Sequence, residues 1–95
     1  MKCTFTVDRD GPLVRRFTIR IETTPDRPIR SVETRYDGFS LDSDEPQAPV
    51  TTFERVYRKD QANSPGRHEL FVSATLPDDT IESFTRIWDE WLRPA

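Results

Sequence analysis

Apolar and polar positions alternate through the first quarter of the chain. Across Lys2–Asp8, Cys3, Phe5 and Val7 share one face, while Lys2, Thr4, Thr6 and Asp8 share the other. That period of two belongs to a half-buried strand. Leu13–Thr23 repeats it, with Leu13, Phe17, Ile19 and Ile21 facing in and Arg16, Thr18, Arg20 and Glu22 facing out. Arg15 falls on the inward parity, which suits a rim position where its guanidinium reaches water. Between the two runs, Arg9-Asp10-Gly11-Pro12 is turn chemistry: Asp–Gly supplies positive φ, and Pro12 can begin a strand. Residues 2–23 therefore read as a hairpin.

Three further strands follow. Pro25 and Pro28 each remove a ladder donor and interrupt the pattern, which resumes over residues 29–36 with Val32 and Tyr36 inward and Glu33 and Arg35 outward. Residues 50–59 alternate imperfectly, with Phe53 and Tyr57 on one parity and Val50 and Val56 on the other. Such a strand is covered on both faces or bulged. Residues 67–76 place Leu70, Val72, Ala74 and Leu76 inward. The stretch 37–49, DGFSLDSDEPQAP, reads as a long acidic loop.

At the C-terminus the period changes. Ile81, Phe84, Ile87, Trp88, Trp91 and Leu92 recur at i, i+3, i+6, i+7, i+10 and i+11, which on a helix fall within an arc of about 140°. Pro77-Asp78-Asp79-Thr80 offers a capping side chain and early acids, and Pro94 a stop. The spacing predicts a helix over 78–93. The expected fold is α+β: an antiparallel sheet of four to five strands packed on one face by a single C-terminal helix, in one domain spanning 1–95.

Composition narrows the function classes more than it names one. Leu, Ile, Val and Phe number 22 of 95 residues, enough for a small core. Net charge is −3. It is uneven: residues 1–36 balance at +3, 37–49 at −4, 50–76 at +1 and 77–95 at −3. That asymmetry is too weak to announce a nucleic-acid or membrane partner. One cysteine excludes an intramolecular disulfide. No apolar run is long enough to span a bilayer, and the start of the chain lacks a signal-peptide h-region. A cytoplasmic setting is the expectation.

Candidate chemistry is sparse. Cys3 and His68 are the sole residues of their types, and both fall on inward strand parities. A thiol–imidazole site needs the two within hydrogen-bond reach, and zinc needs more soft ligands than one of each. Calcium is disfavoured because Gly38 precedes Asp42, Asp44 and Glu45 rather than turning the chain among them. No catalytic, cofactor-binding or metal residues are expected, and no cofactor. The reading is a non-enzymatic protein–protein interaction module: an adaptor, a regulatory subunit or a small inhibitor of a larger assembly. Its partner is an unidentified protein, contacted through the acidic loop at Asp37, Asp42, Asp44 and Glu45. The alternative is a nucleic-acid-binding domain whose outer sheet face presents Arg16, Arg20 and Arg35 to phosphates and Phe71 for stacking. Cross-strand Arg–Glu pairing accounts for the same pattern. An open sheet also leaves unpaired edges, so a homodimer through a sheet edge is a further option.

Overall fold

The structure, a computed structural model, describes residues 1–9, 14–60 and 66–90. These form seven strands: β1 (Lys2–Arg9), β2 (Val14–Glu22), β3 (Ser31–Tyr36), β4 (Phe39–Asp44), β5 (Thr52–Asp60), β6 (Gly66–Thr75) and β7 (Ile81–Glu90). They make two antiparallel sheets, ordered β1-β2-β5 and β4-β3-β6-β7. The inward residues of the two sheets meet in one core of Phe17, Ile19, Ile21, Ile29, Val32, Tyr36, Phe53, Leu70, Val72 and Ala74. The architecture is a β-sandwich.

The N-terminal hairpin has the expected faces. Cys3 pairs with Ile21, Phe5 with Ile19 and Val7 with Phe17, and β5 continues these rows on the far side of β2. The imperfect alternation of β5 has a simple cause: it is an edge strand. Phe53 is buried and Tyr57 half-buried, while Val56 faces solvent at 55% exposure. Arg15 departs from expectation, being 3% exposed rather than wetted at a rim.

Two elements correct the sequence reading. The first is the acidic loop, which contains β4. Tyr36 pairs with Phe39 across Asp37 and Gly38, both at positive φ (50° and 84°), the pair of conformations that a type I′ hairpin turn requires. The register then shifts between Thr34 and Arg35, and this bulge lets two successive residues of β4 serve the core side. Leu41 packs on the core and Asp42 reaches across to β5.

The second correction is larger. No helix occurs among the described residues, and the expected helix 78–93 is a strand from Ile81 to Glu90, paired with β6 without a break in register. The α+β reading therefore gives way to an all-β fold. The helical spacing arose because an edge strand keeps apolar residues on both faces. Phe84 and Trp88 are half-buried inward, while Ile81 and Ile87 face out at 61% and 46% exposure. Superposing the two parities produced i, i+3, i+6, i+7. The apparent cap is a hairpin turn: Asp78 Oδ1 accepts the Thr80 N–H at 3.0 Å, and Thr80 C=O accepts the Leu76 N–H at 2.8 Å. An aspartate accepting from the backbone two residues on serves a tight turn as readily as a helix start. Trp91, Leu92 and Pro94 lie outside the described residues.

At one end of the sandwich the interstrand connections are tied together. Ile29 and Val50 exchange backbone hydrogen bonds of 2.8 and 3.0 Å, and the Thr23 N–H donates to Thr51 C=O at 3.0 Å. The turn before β7 and the start of β7 are held to the same end by ion pairs Arg30–Asp79 (2.8 Å) and Arg27–Glu82 (3.2 Å).

Candidate functional site

At the opposite end, β3 and β6 bring one imidazole and one carboxylate together. His68, 5% exposed, stacks on Tyr36 with ring centroids 5.7 Å apart and leans on Trp88 at 5.8 Å. Its Nδ1 lies 2.8 Å from Asp37 Oδ2 and 3.1 Å from the Tyr36 hydroxyl. A carboxylate only accepts, so the Nδ1–H tautomer donates to Asp37. The other carboxylate oxygen accepts the Glu69 N–H at 2.8 Å, and the Asp37 N–H donates to Glu69 C=O at 2.9 Å. Asp37 thus turns the β3–β4 hairpin and pins it to β6. The signal for this was present in the sequence: Asp–Gly after an alternating run is the strongest short-range hairpin mark.

An imidazole oriented by a carboxylate is also the arrangement of a general base. A thiol to go with it is not at hand. Cys3 pairs with Ile21, whereas Trp88 beside His68 packs on Phe17 at 5.7 Å. Four residues of β2 separate those positions, roughly 13 Å at the strand rise. Burial, moreover, pushes the Cys3 thiol up to about 11, keeping it protonated and a poor nucleophile at neutral pH.

The acids first singled out are divided by the fold. Asp37 serves the turn. Asp42 accepts from the Tyr57 hydroxyl at 3.0 Å, and Asp44 pairs with Arg55 at 2.7 Å. Both bonds cross from β4 to β5 and close that side of the sandwich between the sheets. Arg55 also lies over the Phe53 ring, 4.6 Å from its centroid. Burial, then the Asp42 acceptor, pushes the Tyr57 hydroxyl up to about 12. Of the four, Glu45 is exposed beyond the end of β4.

The arginine set is likewise split. Arg16 and Arg20 stand on the outer face of the three-stranded sheet, Arg35 and Phe71 on the outer face of the four-stranded one. Arg20 is shared between Glu22 (2.7 Å) and Glu54 (2.9 Å), Arg16 lies 3.8 Å from Asp8, and Arg35 pairs with Glu33 at 2.6 Å. The basic groups needed for one phosphate-binding face are on opposite sides of the molecule and paired with carboxylates.

Exposed apolar side chains mark the strand edges instead, and two of them, Ile81 and Ile87, are ones that helical spacing had assigned to the core. Phe39, Val56, Ile81 and Ile87 are the large hydrophobic residues left in solvent among those described. All stand on edge strands, β4, β5 and β7, and β7 carries two. Along the outer face, Ile87 sits opposite Glu69, Thr85 opposite Phe71, Ser83 opposite Ser73 and Ile81 opposite Thr75. The result is a face of hydroxyls and apolar groups with the Glu69 carboxylate among them, ending at a strand that is the sheet's edge among the described residues.

No protein-family model matches the chain, and no curated protein is significantly similar to it. Among solved structures it is similar to one described as "Structures of Clostridium thermocellum CbhA fibronectin(III)-like modules", with a TM-score of 0.58 and 19% identity over 94% of this chain and 96% of that one. The likeness establishes the fold: an all-β, fibronectin III-like sandwich.

Proposed function

We propose that the chain is a non-enzymatic protein-contact module that works through its four-stranded sheet, with the β7 edge as the contact. One observation carries the reading. The described residues suited to chemistry are apart or spent on internal bonds, while β7 leaves Ile81 and Ile87 in solvent along an edge that no described strand pairs with. An exposed strand edge invites another strand. The likeness to fibronectin III-like modules supports a part that connects or contacts rather than one that reacts.

The test is capture on immobilised chain from lysate of the cells that make it, wild type against Ile81→Lys/Ile87→Lys. The expected result is a stoichiometric protein, the chain's own untagged copy included, retained by wild type and lost by the variant, whose melting temperature in dilute solution is unchanged. Retention of nothing, or equal retention by both, overturns the proposal.

A further inference from the structure

Among the described residues β7 is an edge strand, and its protection is charge alone. Natural edges are shortened, bulged, or studded with proline and lysine. β4, the other edge of the same sheet, spans six residues and is bulged. β7 spans ten in unbroken register, and its sequence IESFTRIWDE contains neither proline nor lysine.

The free backbone groups of β7 can be assigned. Thr80 C=O accepts from the Leu76 N–H, whereas the Arg30 N–H bonds to Thr75 C=O and the Asp37 N–H to Glu69 C=O on the β3 side of β6. Odd positions of β6 therefore bond towards β3 and even positions towards β7. Antiparallel pairing alternates, so Glu82, Phe84, Arg86 and Trp88 turn their N–H and C=O towards β6. Ile81, Ser83, Thr85 and Ile87 turn theirs away from it, towards the edge.

We propose that β7 pairs antiparallel with β7 of a second copy of this chain, about a two-fold axis beside Phe84. This rests on the reading of β7 as the contact edge and names its partner. The sequence is self-complementary in that register. Ile81 faces Ile87 of the copy and Ser83 faces Thr85, each pair met twice by symmetry. On the inner parity Phe84 faces Phe84, and Glu82 faces Arg86 twice. Sliding the copy by two residues sets Glu82 against Phe84 in one direction and against Trp88 in the other. Sliding it by four sets glutamate against glutamate.

Two features single out this partner. An inward-pointing charge on an edge normally repels an incoming strand. Glu82 and Arg86 lift that guard only for a strand with the opposite charge at the facing position, which the copy supplies. One carboxylate oxygen of Glu82, Oε2, is also buried without a hydrogen-bond partner, although Oε1 is held by Arg27. The Glu82 side chain as a whole keeps 31% of its surface, and a turn of the carboxylate presents Oε2 to an arginine arriving across the axis. The four-stranded sheets of the two copies would then run on as one sheet through a shared, isologous interface.

Mixed charge reversal tests the register. Arg86→Glu chains face glutamate with glutamate, and Glu82→Arg chains face arginine with arginine. Combined, they regain both opposite-charge pairs. Sedimentation of wild type is expected to give twice the 11.1 kDa chain mass, each variant alone 11.1 kDa, and their equimolar mixture the doubled mass again. Should Glu82→Arg unfold through loss of Arg27, Thr85→Pro provides the check. The Thr85 N–H points away from β6, so proline there spares the internal ladder and should yield a folded chain of 11.1 kDa. A wild type that stays at 11.1 kDa up to roughly 1 mM, a weak limit for a specific contact, overturns the pairing. So does a Thr85→Pro chain that still doubles, or a mixture of folded variants that does not. If wild type is monomeric but the capture experiment retains a different protein through Ile81 and Ile87, the self-pairing fails and the contact-module reading stands. If nothing is retained either, both fail.

Discussion

The two edges of the four-stranded sheet use their side chains in opposite ways. β4 is short, acidic and bulged, and Asp42 and Asp44 are spent on bonds to Tyr57 and Arg55 that close the gap to the other sheet. β7 is long and regular, and it leaves Ile81 and Ile87 in solvent. Two carboxylates of the acidic stretch thus seal the sandwich, and an apolar pattern that looks like core is left in solvent at Ile81 and Ile87. Which residues an edge exposes depends on what its inward side chains must do for the sheet opposite, and charge along the chain does not report that.

The sharpest way to break the comparison is at the two hairpin turns. Replacing Asp37 with Ala removes the acceptor for buried His68, removes the bond to the Glu69 N–H, and leaves a non-glycine residue at φ 50° without its compensating hydrogen bonds. The expected loss is about 3 kcal/mol in urea unfolding. Asp78→Ala on the β6–β7 turn gives up exposed bonds to Thr80 and should cost a small fraction of that. Equal losses would mean that β4 is no more firmly fastened than β7.

How much of this was legible follows from the same contrast. The N-terminal hairpin could be read because one face of each strand is apolar and the other is not, so Phe17, Ile19 and Ile21 announce their burial. β6 was legible for the same reason through Leu70, Val72 and Ala74. β4 was hidden because its core-side residues are Leu41 and Asp42, one apolar and one acid, made neighbours by a bulge. β7 was hidden because period two on two faces imitates period 3.6 on one. β-branched residues at Ile81, Thr85 and Ile87 favoured strand, a propensity the spacing argument overrode. His68 could be named but not placed, since its partners Tyr36 and Asp37 are distant in sequence and meet it only through the pairing of β3 with β6.

The polar seam between β4 and β5 should show its worth in Tyr57→Phe. That change removes the hydroxyl that donates to Asp42 and is expected to cost about 1 kcal/mol. An unchanged urea midpoint would mean the seam is closed without this bond, by packing and the Arg55–Asp44 pair.

Alkaline titration probes both edges of the three-stranded sheet in one experiment. The Cys3 thiol on β1 is raised from 9.0 to about 11 by burial, and the Tyr57 hydroxyl on β5 from 10.0 to about 12 by burial and then by Asp42. In each case the folded value lies above the unfolded one, so the unfolded chain releases its proton first. Stability is complete below pH 9, then falls as pH rises towards 11 through Cys3, and falls further between 10 and 12 through Tyr57. Cys3→Ala should flatten the first part of that decline and leave the second. An unaltered profile would remove the thiol from the account.

The smallest expected effect on the single chain bears most directly on β7. Ile81 and Ile87 stay 61% and 46% exposed in the folded chain. Replacing both with Thr keeps β-branching and should move the stability of a dilute sample by no more than about 0.5 kcal/mol. Their apolar surface is buried when a second β7 arrives, and stability that comes from association depends on protein concentration. The wild-type melting temperature should therefore climb as the sample is concentrated, while that of the double variant stays level. A wild-type melting temperature independent of concentration would leave those isoleucines as surface residues that no second copy covers, and the two edges of the sheet would differ in chemistry but not in use.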